Sequence, residues 1–204
     1  MSSVTEIVNI ALRKIGQTNI TSIDDGTATA NVANDLYTEA RDELLRIHPW
    51  NFAIKRVKLA QSSNTPIFEF DYAYPLPSDW IRTVSVHDND GGYGSLKHRM
   101  EFLVNQRVIV CNSDQVYLRY VHRVTDPNFM TPDFRSTLES LLSRNMSIAI
   151  SNSDNMYEIF DKEYKRSLAR ARSTDGMGSS PEQRPRGSWA SVRSGRKDDW
   201  IDNT

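Results

Sequence analysis

The period of apolar residues changes twice along the chain, from helical to alternating and back to helical. Val4, Ile7, Val8, Ala11, Leu12 and Ile15 form one stripe, the spacing of an amphipathic helix. Ser3 and Glu6 precede it with the three-residue separation of a capping box, and Gly16 follows where a C′ glycine belongs. A second stripe of Val32, Leu36, Ala40, Leu44 and Ile47 predicts a helix that starts near residues 25–27. Pro49 ends it, because the proline ring disfavours helical backbone at His48. Each helix has one apolar face and needs a partner to cover it.

The middle of the chain has period two. Phe68, Phe70, Tyr72 and Tyr74 alternate with Glu69, Asp71 and Ala73, the mark of a half-buried strand. Val84 with Val86, then Met100, Phe102 and Val104, then Val116, Leu118 and Tyr120 give further strands. Asn112-Ser113-Asp114 is turn chemistry and predicts a hairpin between the last two strands. Together these predict one small antiparallel sheet.

Helical spacing then returns. Thr131-Pro132-Asp133 is an N-cap followed by a proline in the first helical position, and Phe134, Leu138, Leu141, Leu142 and Ala149 form the apolar face. Asn152-Ser153-Asp154 interrupts the pattern and caps a last helix with Tyr157, Phe160, Tyr164, Leu168 and Ala171 on one side. A turn this short predicts antiparallel packing. From about Ser173 the composition shifts to Gly, Pro, Ser and Arg, and Trp189, Val192, Trp200 and Ile201 stand without a period. The expected fold is α+β: a mainly helical bundle of four main helices, an inserted small antiparallel β-domain and an extended C-terminal tail. The expected boundaries are 1–53 and 129–175 for the bundle, 54–128 for the β-domain and 176–204 for the tail.

Composition narrows the function classes. The chain has 204 residues, 38% of them hydrophobic, enough for one lean core. No segment approaches the roughly 18 apolar residues of a spanning helix, and the first residues have neither the basic nor the apolar region of a signal peptide. No membrane association is expected. Lys and Arg total 25 against 26 Asp and Glu, without the basic surplus that drives tight non-specific DNA binding. The one cysteine, Cys111, lies in an apolar run and reads as a buried strand thiol, because such surroundings raise a thiol's pKa.

Little points to chemistry. His48, His87, His98 and His122 are scattered, with no metal-ligand spacing, and His48 reads as a cap at a helix C-terminus. The stretch Asp88-Asn89-Asp90-Gly91-Gly92-Tyr93-Gly94 lacks the register of a calcium loop. It reads as a strand-to-strand loop, with Asp90 and Tyr93 as candidates for contact with a tail partner. Asp42 and Glu43 are sequence neighbours and do not face each other on a helix. No catalytic residue, metal or cofactor is expected. Two features stand out. Pro49-Trp50-Asn51-Phe52-Ala53 with Arg56 reads as a hydrophobic plug between helices and sheet. In the tail, Arg184, Arg186, Trp189, Val192, Arg193, Arg196, Trp200 and Ile201 combine the residue types that anchor interfaces.

These residues also carry a family resemblance. His48-Pro49-Trp50-Asn51-Phe52-Ala53 followed by Arg56, then Tyr74-Pro75-Leu76-Pro77-Ser78-Asp79 with Ile81-Arg82-Thr83-Val84, resembles the tail tubular protein A family of podoviruses. Ala11-Leu12-Arg13-Lys14-Ile15-Gly16, Ser22-Ile23-Asp24-Asp25, Leu118-Arg119-Tyr120-Val121 and Ala169-Arg170-Ala171-Arg172 fit the same order, over about residues 4–175. The resemblance implies a head-to-tail adaptor of the virion: a homo-oligomeric ring of twelve subunits between the portal protein and the tail tube or nozzle. DNA would pass through its lumen without tight binding, tail fibres are a candidate further partner, and the C-terminal segment would dock on the portal. In the family motif Leu76, Pro77, Asp79 and Arg82 have structural roles. The alternatives are a virion-associated peptidoglycan hydrolase and a DNA-binding module.

Overall fold

The computed structural model describes residues 3–92 and 94–178. Its helices begin at short polar side chains. Ser3 Oγ accepts the Glu6 amide at 3.1 Å and starts α1 (Val4–Lys14). Thr27 Oγ1 accepts that of Ala30 at 3.2 Å and starts α2 (Ala28–Ile47). Thr131, ahead of Pro132, starts α3 (Pro132–Ala149), and Ser153 starts α4 (Asp154–Met177). Each oxygen satisfies an amide that the first turn leaves without a partner. Gly16, at φ 75°, takes the left-handed position after α1.

The packed faces follow the sequence for α1 and most of α3 and α4. On α3, Phe134, Leu138, Leu141 and Leu142 are fully buried, but Ala149 in the last turn is exposed. Of the face expected on α2, Ala40 and Leu44 are buried, but the rest of the buried stripe runs through other residues. Ala30, Ala33, Tyr37, Ala40 and Leu44 are buried, whereas Val32 is exposed and Leu36 and Ile47 are only half-buried. Ala30, Ala33 and Ala40 complete the three-and-four spacing with Tyr37 and Leu44.

Helices α3 and α4 are antiparallel, as the cross-pairs show: Thr137 with Ser167 at 2.9 Å, Ser140 with Glu163 at 3.0 Å and Arg144 with Asp161 at 3.4 Å. Much of the buried α3 surface is hydroxyl. Thr137, Ser140 and Ser143 donate to the carbonyls of Asp133, Ser136 and Glu139, four residues back. Ser147 donates to that of Arg144, three back. Satisfied in this way, small polar residues can line a core without an unpaired group, so a lean apolar content suffices.

Between α2 and α3 lie two three-stranded antiparallel sheets, where the sequence pattern predicts one. Sheet A has the order β1-β6-β3, from Ile54–Leu59, Val116–His122 and Trp80–His87; sheet B has the order β2-β5-β4, from Tyr72–Pro75, Gln106–Cys111 and His98–Leu103. The hairpin expected at residues 112–114 is therefore absent. Strands β5 and β6 belong to different sheets, and Asn112-Ser113-Asp114 carries the chain across the sandwich. Asn112 Oδ1 there accepts the Asp71 amide at 3.0 Å, and Ser113 carbonyl accepts the Tyr74 hydroxyl at 2.8 Å. The tight hairpin is β4–β5, turned by Val104 and Asn105 at φ 47° and 63°. A β-branched residue at positive φ is rare, so composition gives no sign of this turn.

The strand expected from Phe68 onward is shortened. Only Tyr72–Pro75 pairs, while Glu69 at φ 70° breaks the alternation and Ile67 and Phe68 are exposed. Phe70 folds over the outer face of sheet B onto Ala73, Val108 and Val110. Between the sheets, Leu59, Tyr74, Val86, Ile109, Cys111, Val116, Leu118 and Tyr120 form a second core. Cys111 is buried, and burial pushes its thiol pKa up, as its sequence context indicates. The bundle core reaches into sheet A through Ile81 and Val121.

Candidate functional site

The most elaborate constellation is the junction between bundle and sandwich. Pro49 ends α2, and Trp50 enters the core with no exposed surface. Its indole Nε1 donates to the Leu44 carbonyl at 2.8 Å, so the polar edge of a buried aromatic is satisfied. The Trp50 ring meets Phe134 edge-on, with centroids 5.2 Å apart and planes at 86°. Phe52 meets the same phenyl at 5.0 Å and 75°. One α3 residue thus receives both rings of the Pro-Trp-Asn-Phe element, as a structural plug requires.

Asn51 points to a partner that sequence did not suggest. Its amide donates to the Asp175 carboxylate at 3.1 Å, and its side-chain Nδ2 donates to the Asp175 carbonyl at 2.7 Å. His48 Nε2 lies 3.0 Å from Asp175 Oδ2. His48 stands at the C-cap of α2, as expected, and its ring reaches the end of α4. The last carbonyls of α2, those of Arg46 and Ile47, are capped by Arg82 Nη1 from sheet A, at 3.2 and 3.4 Å. The compositional break near Ser173 does not end α4, which continues to Met177. Asp175 is the last residue of the expected bundle, and no local pattern pairs it with Asn51, 124 positions away.

The family-motif residues lie on the sandwich side of this junction. Leu76 packs half-buried against the inter-sheet core, and Pro77 carbonyl accepts the Trp80 amide at 3.0 Å. Asp79 accepts Lys55 Nζ at 2.8 Å and the Tyr120 hydroxyl at 3.0 Å. Burial would raise the Asp79 carboxyl, but these two donors outweigh it and hold its pKa below the usual carboxylate value. Burial and the Asp79 partner push the Tyr120 phenol up to about 12. Arg123 donates its amide to the Asp79 carbonyl at 2.7 Å and its Nε to Asp42 on α2 at 2.9 Å. Asp42 also accepts from Arg41 at 2.8 Å, so it serves as an ion-pair bridge.

Arg56 and Asp90 are elsewhere, on a groove over the outer face of sheet A. Tyr93 and the tail residues Arg184, Arg186, Trp189, Val192, Arg193, Arg196, Trp200 and Ile201 lie outside the described residues. Among the described residues, no group of three or more His, Cys, Asp or Glu side chains is arranged to hold a metal ion, and no helix is long and apolar enough to cross a membrane.

Large apolar side chains remain exposed on both modules. In the sandwich they are Ile67, Phe68, Met100, Phe102 and Val104; in the bundle they include Ile148 and Ile159. The expected apolar face of the strand at Met100 and Phe102 thus forms, but it is not covered. The chain matches no family model and no curated protein.

Proposed function

We propose that the protein is a structural adaptor whose subunits close into a ring, joining a portal to the tail tube or nozzle of a short-tailed phage. The observation that carries this reading is the exposure of large apolar groups on two separate modules: Phe68 is 80% and Phe102 70% accessible on the sandwich, and Ile159 is 54% accessible on the bundle. A subunit flanked by neighbours needs such surfaces on more than one side. The junction supports it, because the Arg82 cap, the Arg123–Asp42 pair and the His122–Ala53 contact hold the sandwich in one relation to a bundle end that the aromatic rings and the Asp175 bridge knit together. In a ring, that relation sets where each module meets its partner. The tail is assigned to the portal, with Trp189 and Trp200 as anchors and Arg184, Arg186, Arg193 and Arg196 available to carboxylates. No catalytic residue is assigned.

The test is electron microscopy of portal rings incubated with the purified protein, with the nozzle protein added in a second step. Added ring density on one pole of the portal, required for the nozzle to bind, is the expected result. Portal rings that stay bare at saturating protein concentration overturn the reading.

A further inference from the structure

The outer face of sheet A serves two purposes along its length. Near the bundle, Ile54 and Val121 pack on the helical core. Farther out, the strand register places Arg56, Arg119 and Ser85 in one cross-strand row, and Lys58, Tyr117 and His87 in the next. These rows line a groove of about 690 Å³ whose lining also takes in Val57, Val84 and the loop from Asn89 to Gly92.

Its charge is uneven. Arg56 stands directly opposite Arg119, and like charges in that relation repel. Lys58 donates to the neutral amide of Gln115 at 2.9 Å and lies 5.3 Å from the centre of the Tyr117 ring. Neither Arg56 nor Lys58 has an ion-pair partner among the described residues. The carboxylate among the described lining residues, Asp90, is on the connecting loop. β1, which carries Arg56 and Lys58, is an edge strand. Facing cations with an aromatic ring and valines beside them suit an acidic segment that also carries apolar side chains.

We propose that this groove receives the acidic stretch Asp198-Asp199-Trp200-Ile201-Asp202 of the protein's own chain. Three carboxylates there flank a tryptophan and an isoleucine, whereas the stretch before it carries Arg184, Arg186, Arg193, Arg196 and Lys197. Charge therefore selects this stretch. Length permits it: Asp198 follows Gly178 by 20 positions, a reach of about 65 Å when extended. A fold of this size has a radius of gyration of only about 16 Å, so its every face is within reach. The inference does not rest on the adaptor reading. Where that reading gives Trp200 and Ile201 to the portal, the groove holds the same residues beforehand, and the portal must displace the stretch to dock.

Hydrogen–deuterium exchange of the full-length protein, followed by mass spectrometry, tests the proposal without any partner. The expected result is exchange at residues 197–202 slowed about tenfold in the unaltered chain. The double change Arg56→Glu and Lys58→Glu abolishes the protection. Asp198→Lys with Asp199→Lys, which alters no described residue, abolishes it as well. Combining both pairs restores it, and 0.5 M salt weakens it in every protected form. Unprotected residues 197–202 in the unaltered chain, or protection indifferent to either charge reversal, overturns the proposal. So does a groove whose reversal removes DNA retention on a column while exchange at 197–202 is unchanged, since the ligand is then phosphate.

Discussion

The bundle and the sandwich answer the same kind of sequence pattern differently. On α3 the stripe of Phe134, Leu138, Leu141 and Leu142 is buried to the last atom, while on β4 the alternating Met100 and Phe102 are 53% and 70% accessible. A helix in a bundle has neighbours on its apolar side, because α1, α2 and α4 all pack against α3. A strand at the edge of a sheet shows its period whether or not its own chain covers it. β4 is such an edge, bonded on one side to β5, and Arg107 lies over the exposed ring of Phe102 at 5.7 Å. On α3 the helical spacing reports the chain's own core, whereas on β4 alternation reports a strand and leaves open who covers it.

The sharpest way to break that comparison is Trp50→Ala. Trp50 supplies the bundle with a fully buried side chain, an edge-on contact to Phe134 and a hydrogen bond to the Leu44 carbonyl. Its loss leaves a cavity and an unpaired carbonyl, a destabilisation of about 3–5 kcal/mol for a large aromatic. Urea unfolding should show a midpoint far below that of the unaltered protein. A shift under about 1 kcal/mol would mean that the junction collapses around the gap and that Trp50 is no plug.

Much of the bundle was legible because its signals are local. The caps at Ser3, Thr27, Thr131 and Ser153 each lie within three residues of the amide they accept, so spacing alone could find them. The sandwich depends on longer connections. Whether β5 pairs with β6 or with β2 and β4 is decided by which apolar faces meet, and turn residues at 112–114 are compatible with either. Val104 in a left-handed turn and Glu69 breaking a strand at positive φ contradict local preference, and tertiary packing wins. At the junction, Trp50 and Phe52 were readable as a plug, while Asp175 was not, since its partners come from the other end of the chain.

A smaller effect lies at the foot of the sandwich, in the acid limb of stability. Asp79 has its pKa lowered in the folded state despite the opposing effect of burial, through Lys55 and Tyr120. Above the unfolded value, about 3.9, both states are ionised and its stabilising contribution is complete. As pH falls through the lower folded value, the contribution is lost. Asp79→Asn should therefore lower stability at pH 6 and make the decline from about pH 5 to pH 3 shallower. Urea midpoints of both proteins across that range provide the measurement, and parallel curves would remove Asp79 from the account.

The smallest expected change in stability is at Phe102, and it tests the comparison most directly. Its ring is mostly in solvent, and the Arg107 guanidinium above it is an exposed cation–π contact worth about 0.5–1 kcal/mol at most. Phe102→Thr keeps a strand-forming residue on β4 and removes the apolar surface. Stability from urea unfolding should fall by no more than about 1 kcal/mol, the size of that contact. If β4 is covered in the assembly, the same substitution weakens association with neighbours or tail proteins at least tenfold, read by sedimentation or by ring occupancy on portal. A large loss of stability in the isolated chain would instead mean that its own core needs Phe102, and the contrast between bundle and sandwich would fail. Unchanged assembly with unchanged stability would leave the β4 face without a role in the proposed ring and shift that role to Ile67 and Phe68 or to Ile148 and Ile159 of the bundle.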